Sequence, residues 1–139
     1  MKVTIDQMKI LIADNTKVAD IQLEFNHLFP FLKLEFYASD DDFLQPSSKK
    51  ILNGNDKTVG QSRKGHESGI ITIFPEMSVG DLEDIFRYSF GLSVQVLRKS
   101  GSLWLQTAHT DTWSLEEQNR QGELVSAHLR KQEERRSGQ

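Results

Sequence analysis

The sequence predicts an α+β fold of the ferredoxin-like kind: a β-α-β-β-α-β sandwich, an added hairpin strand and a C-terminal helix. Three observations predict it. Two stretches, Lys9 to Tyr37 and Ile70 to Leu97, each read strand, helix, strand. The two share a spacing: Ile10, Ile12, Val18, Asp20, Ile21, Phe25 and Phe29 recur as Ile71, Ile73, Val79, Asp81, Leu82, Phe86 and Phe90, each 61 positions on (71 minus 10). Two right-handed β-α-β units sharing one sheet give the sandwich, with the helices on one face.

The expected domain runs from 1 to 130. It divides into a first β-α-β unit (8–38), a polar loop (39–69), a second unit with its hairpin (70–107) and a helix (114–130). A frayed tail (131–139) follows. In the first unit Val18, Ile21, Phe25 and Leu28 make a helical stripe, Pro30 ends it, and Leu32, Leu34 and Phe36 alternate along the outgoing strand. The loop holds Pro46-Ser47-Ser48 and Asn53-Gly54-Asn55-Asp56. Either a short helix forms around Phe43 or Ile51, or the segment is a mobile functional loop.

In the second unit Ile71 and Ile73 alternate with polar neighbours. Ser78 is an N-cap with Asp81 at the third helical position, and Met77 is placed to staple onto Leu82. Gly91 suits a left-handed exit, after which Leu92, Val94 and Val96 point inward. Lys99-Ser100-Gly101-Ser102 reads as a hairpin turn into Leu103-Trp104-Leu105. Ser114-Leu115-Glu116-Glu117 is a capping box opening a mostly polar helix.

Composition narrows the chemistry. The 139 residues contain no cysteine, which removes disulfides, thiolate metal sites and cysteine nucleophiles and suits a reducing, cytoplasmic setting. No secretory signal opens the chain, and no stretch approaches the ~20 apolar residues of a membrane helix. A net charge of −3 argues against a surface that binds nucleic acid everywhere. The bases are concentrated instead: Lys49, Lys50, Lys57, Arg63 and Lys64 stand against Asp56 alone. Such a run is commonly a solvated face; the alternative is a nucleic-acid-binding loop.

Catalytic constellations are not expected. His27, His66, His109 and His128 have no metal-ligand spacing, and neither a serine elbow nor a phosphate loop occurs. A small enzyme would need a pocket near His66 or His109, where His66-Glu67 and His109-Thr110-Asp111 bring a base beside a carboxylate; a histidine in an ordinary loop explains both as well. No metal or cofactor is expected.

Alternation puts Leu11, Lys33, Glu35, Tyr37, Ile70, Thr72, Phe74, Ser93, Gln95, Leu97, Trp104 and Gln106 on the sheet face away from the helices. That face is too apolar to be fully solvated. The C-terminal helix covers it through Trp113, Leu124 and Leu129, or a second copy does as a homodimer, or a partner binds there. The preferred expectation is a non-catalytic protein-binding or assembly module, with contacts at Trp104, Gln95 and Tyr37 on the sheet and Arg98 and Lys99 at the hairpin. The segments Val94 to Leu105 and Thr110 to Asn119 resemble a small uncharacterised family of bacterial proteins sharing V-Q-V-x-R-K-S-G-x-x-W-L and T-D-x-W-x-L-x-x-Q-N. The resemblance spans Asp56 to Gly122. It implies a bacterial setting and no particular activity.

Overall fold

A computed structural model describes residues 7–37, 51, 56–63 and 66–138. The elements in chain order are β1 (Met8–Ile12), α1 (Val18–Leu28), β2 (Leu32–Tyr37), α2 (Val59–Ser62), β3 (Gly69–Ile73), α3 (Val79–Phe90), β4 (Ser93–Ser100), β5 (Leu103–Gln106), a 3-10 turn (Ala108–Thr110) and α4 (Leu115–Ser137). The class is α+β. No helix among the described residues is long and apolar enough to cross a membrane.

The strand order departs from the ferredoxin-like expectation. That sandwich would put four strands in one sheet. Here, among the described residues, β1 pairs with β3 as one antiparallel sheet, and β2, β4 and β5 form another in that order. The reason lies at the outer sides of β2 and β4. Val96 gives its N–H to the Glu83 carboxylate, and its carbonyl accepts from the Thr107 hydroxyl. The Leu34 and Leu32 carbonyls accept from the side-chain amides of Gln22 and Asn26. Side chains of α1 and α3, with that of Thr107 just after β5, fill hydrogen-bonding positions that another strand would need.

The repeat is real at the level of pairing. Ile10 lies opposite Ile71, its own counterpart, and Glu35 lies opposite Gln95, its counterpart 60 residues on (95 minus 35). Equivalent strands of the two halves therefore meet antiparallel about one pseudo-twofold relation. It reaches further than the strand–helix–strand pattern. The N-cap Lys17 of α1 bridges the N-cap Thr58 of α2, as Ser78 of α3 bridges Ser114 of α4. Val18 N–H donates to the Lys57 carbonyl and Val59 N–H to that of Thr16. In the second half Val79 N–H donates to the Trp113 carbonyl and Leu115 N–H to that of Met77. Each pair of helix starts thus satisfies its exposed N–H groups on the other's backbone. The short helix of the polar stretch is α2, at 59–62, while Ile51 sits in a single β-bridge to Tyr37. The expected helix around Phe43 lies outside the described residues.

Local signals fix the helix ends. The Ser78 and Ser114 hydroxyls each accept from the backbone N–H three residues on, at 3.0 Å. Gly91 closes α3 at φ 66°, its N–H and that of Leu92 returning to the Arg87 and Phe86 carbonyls. A Cβ there would also strike the His66 ring at 2.3 Å, so only glycine fits. Gly101 (φ 65°) is the first residue of a two-residue loop between Ser100 and Leu103, as a type II′ hairpin requires. α4 runs to Ser137, beyond the end at 130 that the sequence suggested.

One core joins both sheets and the helices. Ile10, Ile12, Ile71 and Ile73 of the first sheet and Leu32, Leu34, Phe36, Val94 and Val96 of the second are buried with Val18, Ile21, Phe25, Val79, Leu82 and Phe86 of the helices. Phe36 and Phe86 meet edge to face at 5.8 Å between centroids, near the favourable aromatic geometry.

Candidate functional site

The β4–β5 hairpin and its surroundings carry the residues expected to bind a partner, and they divide into three environments. On one face of the β2–β4–β5 sheet, cross-strand pairs set Glu35 beside Gln95, Tyr37 beside Ser93, Lys33 beside Leu97 and Lys99 beside Trp104. The Tyr37 phenol lies 2.6 Å from a Glu35 carboxylate oxygen and 3.1 Å from the Gln95 side-chain oxygen position. A phenol has one proton. It donates to Glu35, and the Gln95 amide is satisfied by turning its NH₂ toward the phenol oxygen. Burial, with Glu35 second, pushes the Tyr37 phenol above its ordinary value, so it stays protonated.

Tyr37 and Gln95 border a cavity of about 340 Å³ with Glu83, Arg87 and Gln106. Lys99 and Trp104 border a separate one of about 790 Å³, between the hairpin and the second half of α4, with Phe31, Leu129 and Arg130. The Lys33 ammonium sits 4.9 Å from the Trp104 ring centroid, a cation–π distance.

Arg98 belongs to neither cavity. Alternation turns it to the other side of β4, where its guanidinium bonds the Gln118 side chain at 3.0 Å and lies over the Trp113 ring. Gln118 is buried and donates onward to the carbonyl and hydroxyl of Thr110. Asn119 accepts from Phe31 N–H at the start of β2. Gly122 lets α4 approach closely: a Cβ there would come within 2.9 Å of Phe31 Cβ. The T-D-x-W-x-L-x-x-Q-N run therefore anchors α4 to the ends of β2 and β4. The helix does not spread Leu124 and Val125 over the sheet, because both are exposed.

Glu83 is the titratable group set apart by its surroundings. Desolvation raises its pKa above the ordinary 4.5. The Val96 N–H opposes the rise, Asp111 adds to it, Arg87 lowers it and Asp84 raises it slightly. A carboxyl with a raised folded-state pKa favours folding most when protonated, below its unfolded pKa, and that contribution is lost as pH climbs through the folded value. Glu83→Gln is therefore expected to raise the thermal midpoint relative to the parent at pH 8. The advantage should vanish at pH 4, read from paired melts at the two values.

Of the basic set, Arg63 is buried and Lys57 exposed; Lys49, Lys50 and Lys64 lie outside the described residues. The Arg63 guanidinium reaches the Phe90 carbonyl at 2.9 Å, the Glu67 carbonyl at 3.3 Å and Asp14 Oδ1 at 3.0 Å. It fastens α2 to the end of α3, much as Asn119 fastens α4 to the start of β2. Neither cavity named above is lined by His66 or His109. Among the described residues no cluster of three His, Asp or Glu could hold a metal ion.

Sequence reasoning set Trp104, Gln95 and Tyr37 on one face, where alternation also puts Lys99, and passed over Leu103 and Leu105. These two are 64% and 41% exposed on the opposite face of β5, whose outer side has no partner strand among the described residues. The signal was present: Ser102 to Thr107 contains no charge and no proline, whereas edge strands commonly carry such guards. The chain matches no family model, no curated protein and no solved structure.

Proposed function

We propose that this chain is a non-catalytic protein-binding module that takes an extended partner segment along the outer side of β5. One observation carries the reading: β5 is an uncharged, apolar edge strand with no partner strand on its outer side among the described residues, and Trp104 lies near its middle. Strand addition supplies main-chain hydrogen bonds, and alternate side chains supply specificity. Leu103 and Leu105 offer apolar contacts on one face. Trp104 offers one on the other face, beside Lys99 and Lys33. A nucleic-acid role for the basic segment loses Arg63, which is already engaged by backbone carbonyls.

Leu103→Lys tests the reading. Its side chain is exposed, so the fold should survive with an unchanged melt, while burial of a charge at the contact should cost about 1–3 kcal/mol of binding, roughly 5- to 150-fold in affinity. Tagged parent and variant are compared for proteins retained from a bacterial lysate. Identical retention by the two, with no difference in their self-association, would end the proposal.

A further inference from the structure

We infer that the occupant of the β5 edge is a second copy of this chain, paired antiparallel about a twofold axis that sets Trp104 opposite the partner's Trp104. The inference rests on the strand-addition reading above and goes on to name the occupant.

Backbone direction is the first support. Lys99 directs its N–H to the Phe31 carbonyl, on the β2 side of β4. Lys99 and Trp104 are therefore a pair without mutual hydrogen bonds, and Trp104 turns its own N–H and carbonyl away from β4. No described residue takes them. Two copies meeting at Trp104 would exchange both bonds with each other.

Register is the second. Residues directly opposite in an antiparallel pair point to the same face, and a twofold perpendicular to the sheet keeps each residue on its own face. The axis must then pass beside a residue, and Trp104 and Leu105 are the two central ones of β5. An axis at Leu105 would oppose Leu103 with the partner's Thr107. Thr107 is buried, with its hydroxyl on the Val96 carbonyl. An axis at Trp104 opposes Leu103 with the partner's Leu105 and gathers four leucines on one face.

Charge is the third. A charge near the axis would lie close to its own copy and repel it. Ser102-Leu103-Trp104-Leu105-Gln106 has none. The fold itself already uses such pairing, since Ile10 with Ile71 and Glu35 with Gln95 are counterparts brought opposite each other across the two halves.

The test uses Leu103→Lys and Leu105→Glu in the full chain, with circular-dichroism melts to verify folding and analytical ultracentrifugation to read mass from about 1 to 500 μM. The parent should dimerise. Each variant alone should dimerise about tenfold more weakly or worse. Their equimolar mixture should form a mixed dimer, because the lysine introduced in one copy then faces the carboxylate introduced in the other, while the second Leu103–Leu105 pair is kept. The inference is overturned by a parent that stays at the mass of one chain throughout, by variants that dimerise like the parent, or by a mixture that stays monomeric. If the parent is monomeric but still retains a lysate protein that Leu103→Lys loses, the second copy is excluded and the strand-addition reading stands. If retention is also unchanged, both fall.

Discussion

Phe86→Ala is expected to remove about 3–5 kcal/mol of stability, the range for truncating a buried phenylalanine where the surroundings relax only in part. Phe86 is fully buried on α3, edge-on to Phe36 of β2, and shares the core with residues of both sheets. Collapse into the vacated space would require both halves to move, which places the substitution toward the upper end. A domain of this size holds only about 5–15 kcal/mol in total, so the loss would move the urea midpoint far down with little change in slope. Tyr88→Ala, two positions along the same helix but 73% exposed, should stay within about 0.5 kcal/mol. Equal effects at the two sites would mean that α3 presents a different face to the core.

That contrast was legible in the sequence because helical spacing reports which face is buried. Val79, Leu82, Phe86 and Phe90 fall on one stripe, and all four are buried. The same holds for Leu32, Leu34 and Phe36 and for Val94 and Val96. What alternation cannot report is which strand lies beside which. Whether β2 neighbours β4 or another strand is decided by Gln22, Asn26, Glu83 and Thr107, whose side chains reach backbone groups 6 to 13 positions away in sequence. Polar side chains in a helix give no outward sign that they will cap a strand edge, so the single-sheet sandwich was the natural reading and the two-sheet arrangement was hidden. α2 was hidden for another reason. Four residues are too few to show a period, and its support is the backbone of Asp14 and Thr16, more than 40 residues away (59 minus 16, 60 minus 14).

The site was legible to the same extent. Tyr37, Gln95, Lys99 and Trp104 share a face because β-strands alternate. Arg98 looked like their neighbour because it sits beside them in the chain, yet the same alternation carries it through the sheet to Gln118. An arginine in a hairpin is commonly a solvated cation, and only its partner 20 residues later reveals it as an anchor.

Arg63 takes that lesson to its sharpest test. It entered as one cation in a basic run, and the structure buries it. Its Nε donates to Asp14 Oδ1 at 3.0 Å, Nη2 lies 3.0 Å from the same oxygen but makes no hydrogen bond, and Nη1 serves the Phe90 and Glu67 carbonyls. The two partners are unequal: the Arg63 side chain is 1% exposed and that of Asp14 70%. Removing the carboxylate should therefore cost little, below about 1 kcal/mol, because water screens its side of the pair. Arg63→Ala should cost about 2–4 kcal/mol, because two backbone carbonyls lose their donor and the packing between α2 and the end of α3 is lost. Arg63→Lys should recover less than half of that, since one ammonium cannot reach three acceptors arranged for a planar fork. Urea unfolding of the three variants checks the order. An Arg63→Ala chain as stable as the parent would return this residue to the solvated basic face and reopen the nucleic-acid reading of its segment.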